Sequence, residues 1–327
     1  MDYYLFLSLI FLGVLYIYRP LKITFFLYIL AALLFIIIIR LDPKGVDFQE
    51  YYRYLHHVDG IRYYREFIYF SMGLIFFDLI KSEIISFILM DLIWIYALYR
   101  ACKIVDLKND ISLFVILFTS FPLFFGYENI YRQLFAEVFI LLAYVYIDKF
   151  PKKAFLYFII SIFMHNIALL IFPLFILKRF FKLNTGGRIL LATILVAIIG
   201  SLLSTLSQFK SGHDTGLSLE YAYLLVYIFI FILGLALYKY RIVKFVEMFP
   251  SIYFGLLMLA LMVLILPVGM IAERMGMFFL LITLVDLYKI SFFLKPAQRG
   301  MYKILLHLFV SLPVLIFPSA TSLLIGS

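Results

Sequence analysis

The chain has 327 residues, of which 66% are hydrophobic and 14% charged, and it carries a formal net charge of +9. A soluble fold of this length has no interior for so much apolar surface. The solvent must therefore be a bilayer, where the backbone is satisfied only in helices or a closed barrel. The apolar runs are 15 to 22 residues long, which selects helices over the ten-residue alternation of a barrel. Cys102 is the only cysteine, excluding an internal disulfide and a cysteine-based metal cluster.

Taken in chain order, the opening stretch MDYYLFLSLIFLGVLYIYRP lacks a basic n-region and a small-residue cleavage site, and reads as the first span. Spans are expected at about 3–18, 23–39, 84–99, 111–126, 132–147, 188–207, 220–238, 250–270, 275–290 and 304–325. The expected fold is thus all-α, a polytopic helical membrane protein of about 10–12 membrane helices forming one domain over 1–327. Between the second and third spans lies a large polar loop at about 40–66, and residues 67–80 read as a helix lying flat on the membrane. A smaller loop rich in Gly and Ser occupies about 207–220.

The segment 152–182 is basic at both ends. Broken at Met164-His165-Asn166, it makes a re-entrant helical pair at 154–177, each arm rising about 18 Å at ~1.5 Å per residue. One tilted span that breaks the charge rule is the alternative. Of the 28 Lys and Arg residues, 19 fall in loops near 19–22, 100–108, 149–153, 178–188, 239–244 and 289–303. The positive-inside rule makes those loops cytoplasmic and places 40–66 and 207–220 outside. The positive charge is thereby accounted for, and no nucleic acid is expected as a partner.

The remaining polar residues gather on the outer side. Asp47, Glu50, Tyr51 and Tyr54 are spaced i, i+3, i+4, i+7, one face if their segment is helical. Rings beside carboxylates suit sugars, while an interfacial aromatic belt is the other use for tyrosines in a chain with 26 of them. Arg62, Arg65 and Glu66 close the same loop. Glu128 and Arg132 stand four apart, a spacing that makes a helical ion pair, and Gln133 and Glu137 extend the polar face inward. Arg274 follows Glu273 at the head of a later span. Guanidinium groups suit phosphate oxygens. His165 is either a hydrogen-bonded core histidine or a base at the hairpin tip. The adjacent His56 and His57 point in different directions, so no metal site is expected.

At these residues the chain resembles the EpsG family of exopolysaccharide biosynthesis proteins and, with it, Wzy-like polymerases. The resemblance is carried by DFQEYYRYL followed by REFIYF, by YRQLFAEVFIL, by the basic turn PKKAF and by FIISIFMHNIALLIFPL. It covers about 40–180, with a weaker echo at Arg274. At HNIAL the family commonly has His-Xaa-Ser, so no hydroxyl stands at that point here.

The resemblance implies an inverting glycosyltransferase related to the GT-C architecture. It would join O-antigen, capsule or exopolysaccharide repeat units carried on undecaprenyl pyrophosphate, in a bacterial cytoplasmic membrane with its site facing outward. Its partners would be that lipid-linked oligosaccharide, membrane lipids, a chain-length regulator and a flippase, with no cofactor and no metal. The base is expected to be Asp47, then Glu50 or Glu66, with His165 competing. Arg132 and Arg274 would hold the leaving diphosphate, with Arg62 or Arg65 contributing. Glu128 would orient Arg132, Gln133 would line the cavity behind it, and Tyr51 and Tyr54 would position sugars. The competing classes are a flippase of lipid-linked oligosaccharide, an integral membrane acyltransferase and an O-antigen ligase.

Overall fold

The computed structural model describes residues 2–56, 66–105, 110–179, 185–207, 219–237, 249–266 and 269–325. It is 90% helical, with no strand among the described residues. The protein is an all-α polytopic membrane protein. Four helices are long and apolar enough to cross a bilayer unbroken: Lys22–Leu41, Glu83–Val105, Gly269–Phe293 (whose last turn is 3-10) and Pro296–Ile316. The other apolar stretches are shorter or interrupted, and the interruptions have local causes.

The chain divides into two compact units. The first holds Met1–Tyr146, Phe150–Asn166 and Ser291–Ser327; the second holds Ile147–Lys149 and Ile167–Ile290. In the first unit, α1 (Asp2–Tyr18) packs on α2 (Lys22–Leu41), and α3 (Val46–His56) forms within the large polar loop. Then come α4 (Phe67–Ile80) and α5 (Glu83–Val105), followed by α6 (Ser112–Phe118) and α7 (Phe121–Glu128). Next are α8 (Tyr131–Tyr146) and α9 (Pro151–Met164), and α8 packs on both α5 and α9.

The expected span at 111–126 is therefore two short helices. Pro122 has no N–H to continue a helix but fits the first turn of a new one. Hydroxyls of the connecting turn fold back onto the end of α6: Thr119 Oγ1 donates to Val115 O at 3.2 Å and Ser120 Oγ to Leu117 O at 2.6 Å.

Ion pairs tie the loops together by end. At one end Lys44 Nζ lies 2.6 Å from Asp2 Oδ2 and donates to Leu324 O at 2.9 Å. At the other, Lys303 pairs with Asp110, and Ile111 N–H donates to Tyr16 Oη at 3.2 Å. The basic loops and the polar loop thus occupy opposite ends of this unit.

α9 stops at His165, whose backbone is extended (φ −157°, ψ 120°). A 3-10 turn (Asn166–Ile171) and α10 (Phe172–Arg179) follow in the second unit. The break falls at the expected residue. Lys178 at the end of α10 lies 3.2 Å from Asp148, in the turn before α9.

The second unit continues with α11 (Thr185–Ser207), α12 (Leu219–Leu237), α13 (Pro250–Ala260) and α14 (Gly269–Ile290). The expected span at 250–270 is interrupted by a π turn over Leu261–Ile265. Tyr227 and Thr283 share a hydrogen bond of 2.8 Å, and Asp286 is satisfied by Ser251 at 2.6 Å and Lys289 at 3.0 Å. The chain closes in the first unit with α15 (Pro296–Ile316) and α16 (Pro318–Ile325).

Candidate functional site

Three elements of the first unit meet at one carboxylate. Glu66, immediately before α4, accepts a hydrogen bond from Arg132 Nη1 on its Oε2. Its other oxygen lies 3.8 Å from His165 Nδ1 at the end of α9. The Glu66 and His165 side chains are each 8% exposed, whereas that of Arg132 is 31% exposed, so the guanidinium is the group that faces outward. Arg132 Nε is buried and makes no hydrogen bond among the described residues. The exposed edge of the guanidinium, beside a buried carboxylate and imidazole, is what this cluster can offer to an acceptor group.

Aromatic rings wall the guanidinium. Its carbon lies 5.6 Å from the Tyr51 ring centre and 5.9 Å from that of Phe70, a cation–π arrangement. Burial pushes the Tyr51 phenol up to about 12, so it is a neutral hydrogen-bond donor at neutral pH. Tyr51, Tyr54, Tyr69, Phe70, Gly73 and Met90 contribute to a small, largely apolar cleft beside this wall.

Several expectations need correction. Glu128 does not orient Arg132. The chain leaves helical geometry at Asn129 (φ −126°, ψ −58°), so the four-residue spacing does not place the two on one helix face. Glu128 is buried near Arg40 instead. α3 is helical, so Asp47, Glu50, Tyr51 and Tyr54 fall on one side of it, but that side is unevenly covered: Tyr51 is buried, Asp47 and Tyr54 are half-buried and Glu50 is exposed. Tyr51 offers no free face to a sugar, because Phe48, Tyr69 and Tyr131 pack around it at 5.4 to 6.4 Å. Tyr54 is half-buried against Phe70.

Gln133 and Glu137 are buried on α8, with Gln133 Nε2 donating to Glu137 Oε1 at 2.8 Å. Glu137 Oε2 has no partner among the described residues. Arg274 sits in the first turns of α14, after the buried Glu273, and belongs to the second unit. His57, Arg62 and Arg65 lie outside the described residues, and the described residues contain no group of three or more His, Cys, Asp or Glu able to hold a metal.

A second charged pair escaped the sequence reading altogether. Arg40, at the end of α2, and Asp91, in the middle of α5, are both fully buried. Arg40 donates through Nε to Asp91 Oδ2 at 2.6 Å, through Nη2 to Oδ1 at 3.0 Å and through Nη1 to Tyr127 O at 3.0 Å. The signal was available, since an acid eight residues inside an apolar span demands a partner. Sequence alone could not say which of nine non-loop cations supplied it.

No family model, curated protein or solved structure matches the chain. Fold and geometry together define a helical membrane protein with a mixed-charge cluster of Glu66, Arg132 and His165 at one end of its larger unit.

Proposed function

We propose that the protein is a membrane glycosyltransferase of the Wzy-like kind, polymerising oligosaccharide repeat units carried on undecaprenyl pyrophosphate at the outer face of a bacterial cytoplasmic membrane. The observation that carries the reading is Glu66, placed between a partly exposed guanidinium and a buried imidazole. The resemblance to EpsG proteins supports it, because all three residues fall within the stretches that carry that resemblance.

In this reading an acceptor sugar hydroxyl attacks the anomeric carbon of the donor. The bond from that carbon to the diphosphate oxygen breaks, and the diphosphate leaves with the electron pair. Glu66 faces His165 Nδ1 and favours the imidazolium that forms when the ring takes the hydroxyl proton, a contribution of about 10²–10⁴ in rate. The 3.8 Å separation suits a resting enzyme, where such contacts are long and tighten with substrate. Arg132 stabilises the charge that develops on the diphosphate through its partly exposed guanidinium, commonly the larger effect. The base assigned here is His165 with Glu66, in preference to Asp47, because both are buried beside Arg132.

The test is expression in a host that assembles the cognate repeat, comparing Arg132→Lys and His165→Gln with wild type at matched membrane abundance. Glycan collapsing to a single repeat, with lipid-linked units still reaching the outer face, supports the reading. Lipid-linked units trapped inside would make the protein a flippase, and an unaltered ladder from both variants would remove the site.

A further inference from the structure

We infer that the buried Arg40–Asp91 pair is a positioning device, which sets the geometry of the Arg132 cluster by fixing both of its walls. The inference rests on the proposed function for the meaning of that cluster, but its geometric part stands apart from it. Asp91 accepts four hydrogen bonds. Two come from Arg40, one from Trp94 Nε1 at 2.8 Å and one from Tyr131 Oη at 2.8 Å.

Tyr131 opens α8 and immediately precedes Arg132. Neighbouring residues on a helix project about 100° apart, so anchoring the Tyr131 hydroxyl to Asp91 sets the direction in which Arg132 leaves the helix. The other wall is α3. The Arg40 guanidinium lies 4.3 Å from the Phe48 ring centre and 4.6 Å from that of Tyr131. Tyr52 Oη donates to Arg40 O at 3.2 Å. Phe48 in turn packs on Tyr51, the ring that flanks Arg132. One ion pair thus seats α3 and α8 on the same anchor, and neither Arg40 nor Asp91 touches the cluster itself.

A buried ion pair can be replaced by apolar side chains with little loss of stability, whereas cutting one partner leaves a stranded charge. That separates positioning from mere support. The decisive variant is Arg40→Met with Asp91→Leu, compared with wild type for melting temperature and for glycan chain length. That variant also deprives Trp94 Nε1, Tyr131 Oη and Tyr127 O of their partner, so the expected result is a melting temperature no lower than that of Asp91→Asn alone, with polymerisation reduced by at least tenfold. Wild-type polymerisation in that variant would overturn the proposal.

A second readout needs no enzymatic activity. With Cys102→Ser removing the only cysteine, Arg132→Cys reports local geometry through its rate of reaction with an impermeant maleimide. Tyr131→Phe leaves the ion pair intact and removes only the link to α8. It is expected to change that rate several-fold, and an unchanged rate overturns the proposal. Should the apolar pair fail to accumulate, the Tyr131→Phe comparison decides alone. Should wild type make no polymer, the labelling result still judges the positioning role while the glycosyltransferase reading falls.

Discussion

Among its described residues the first unit holds two arginine–carboxylate pairs made to different specifications. At Arg40–Asp91 both side chains are excluded from solvent, and the carboxylate is saturated by Arg40, Trp94 and Tyr131. At Arg132–Glu66 the guanidinium is nearly one-third exposed and keeps a nitrogen without a bond, while an imidazole waits on the far side of the carboxylate. A saturated buried pair has nothing left to offer a substrate. An unsaturated pair at the mouth of a helix bundle does. The same two functional groups thus serve as a clamp in one place and as a candidate reaction centre in the other, and saturation and exposure separate the two uses.

The sharpest way to break this contrast is to cut the clamp. Asp91→Asn removes the charge opposite a fully buried guanidinium, and the expected cost is about 3–5 kcal/mol, read as a lower melting temperature in detergent and lower membrane abundance. Arg132→Ala leaves Glu66 without its cation but opens that carboxylate to solvent, and is expected to cost less, about 1–3 kcal/mol. Equal losses from the two would erase the distinction.

Gly45 offers a test of the scaffold that seats α3. A Cβ built there would lie 1.7 Å from Glu128 O, a clash with backbone that no rotamer relieves. Gly45→Ala is expected to destabilise by about 1–3 kcal/mol through overpacking, with the helix content of the remainder unchanged by circular dichroism. A neutral result would mean that α3 is seated less tightly than this contact implies.

The third test sharpens the other side of the comparison. Arg132→Lys keeps the charge but loses the planar fork that meets two oxygens at once. Activity is expected to fall about 10–100-fold, equivalent to about 1.4–2.7 kcal/mol of transition-state binding, while the melting temperature stays near wild type. Full activity in the lysine variant would show that a point charge suffices and would favour a transport role.

What could be read from the sequence follows from rarity. In a chain this apolar, polar residues that cluster near helix ends are conspicuous, so Glu66, Arg132 and His165 stand out in the sequence, and the helix break falls at His165 as expected. What could not be read was pairing. Arg132 was matched to Glu128 because four residues separate them, yet the break at Asn129 cancels helical spacing, and the real partner lies 66 residues away. Asp91 went unnoticed because a single acid carries no pattern, and Arg40 looked like an ordinary residue at a span's end. Helix interruption was legible in part. Pro122 after Ser120 marks a restart by its missing N–H, but nothing local announces the π turn at Leu261–Ile265.

The smallest expected effect is at the opposite end of the unit, where a third ion pair extends the comparison to a loop. Lys303 reaches Asp110, whose Oδ1 also accepts from the Ser112 amide at 2.9 Å and from the Ser112 hydroxyl. Burial alone would push the Asp110 carboxyl up, but the Lys303 ammonium and Ser112 outweigh it and hold it below the usual carboxylate range. A carboxyl whose folded pKa is depressed contributes stability above its unfolded pKa and loses it as pH falls through the folded one. Wild type should therefore lose about 1 kcal/mol from this contact on acidification below about pH 4. Asp110→Asn should lack that part of the pH dependence and be less stable by a similar amount at pH 7. Superimposable acid-melting curves for the two proteins would show that the contact is no stronger than an ordinary surface pair.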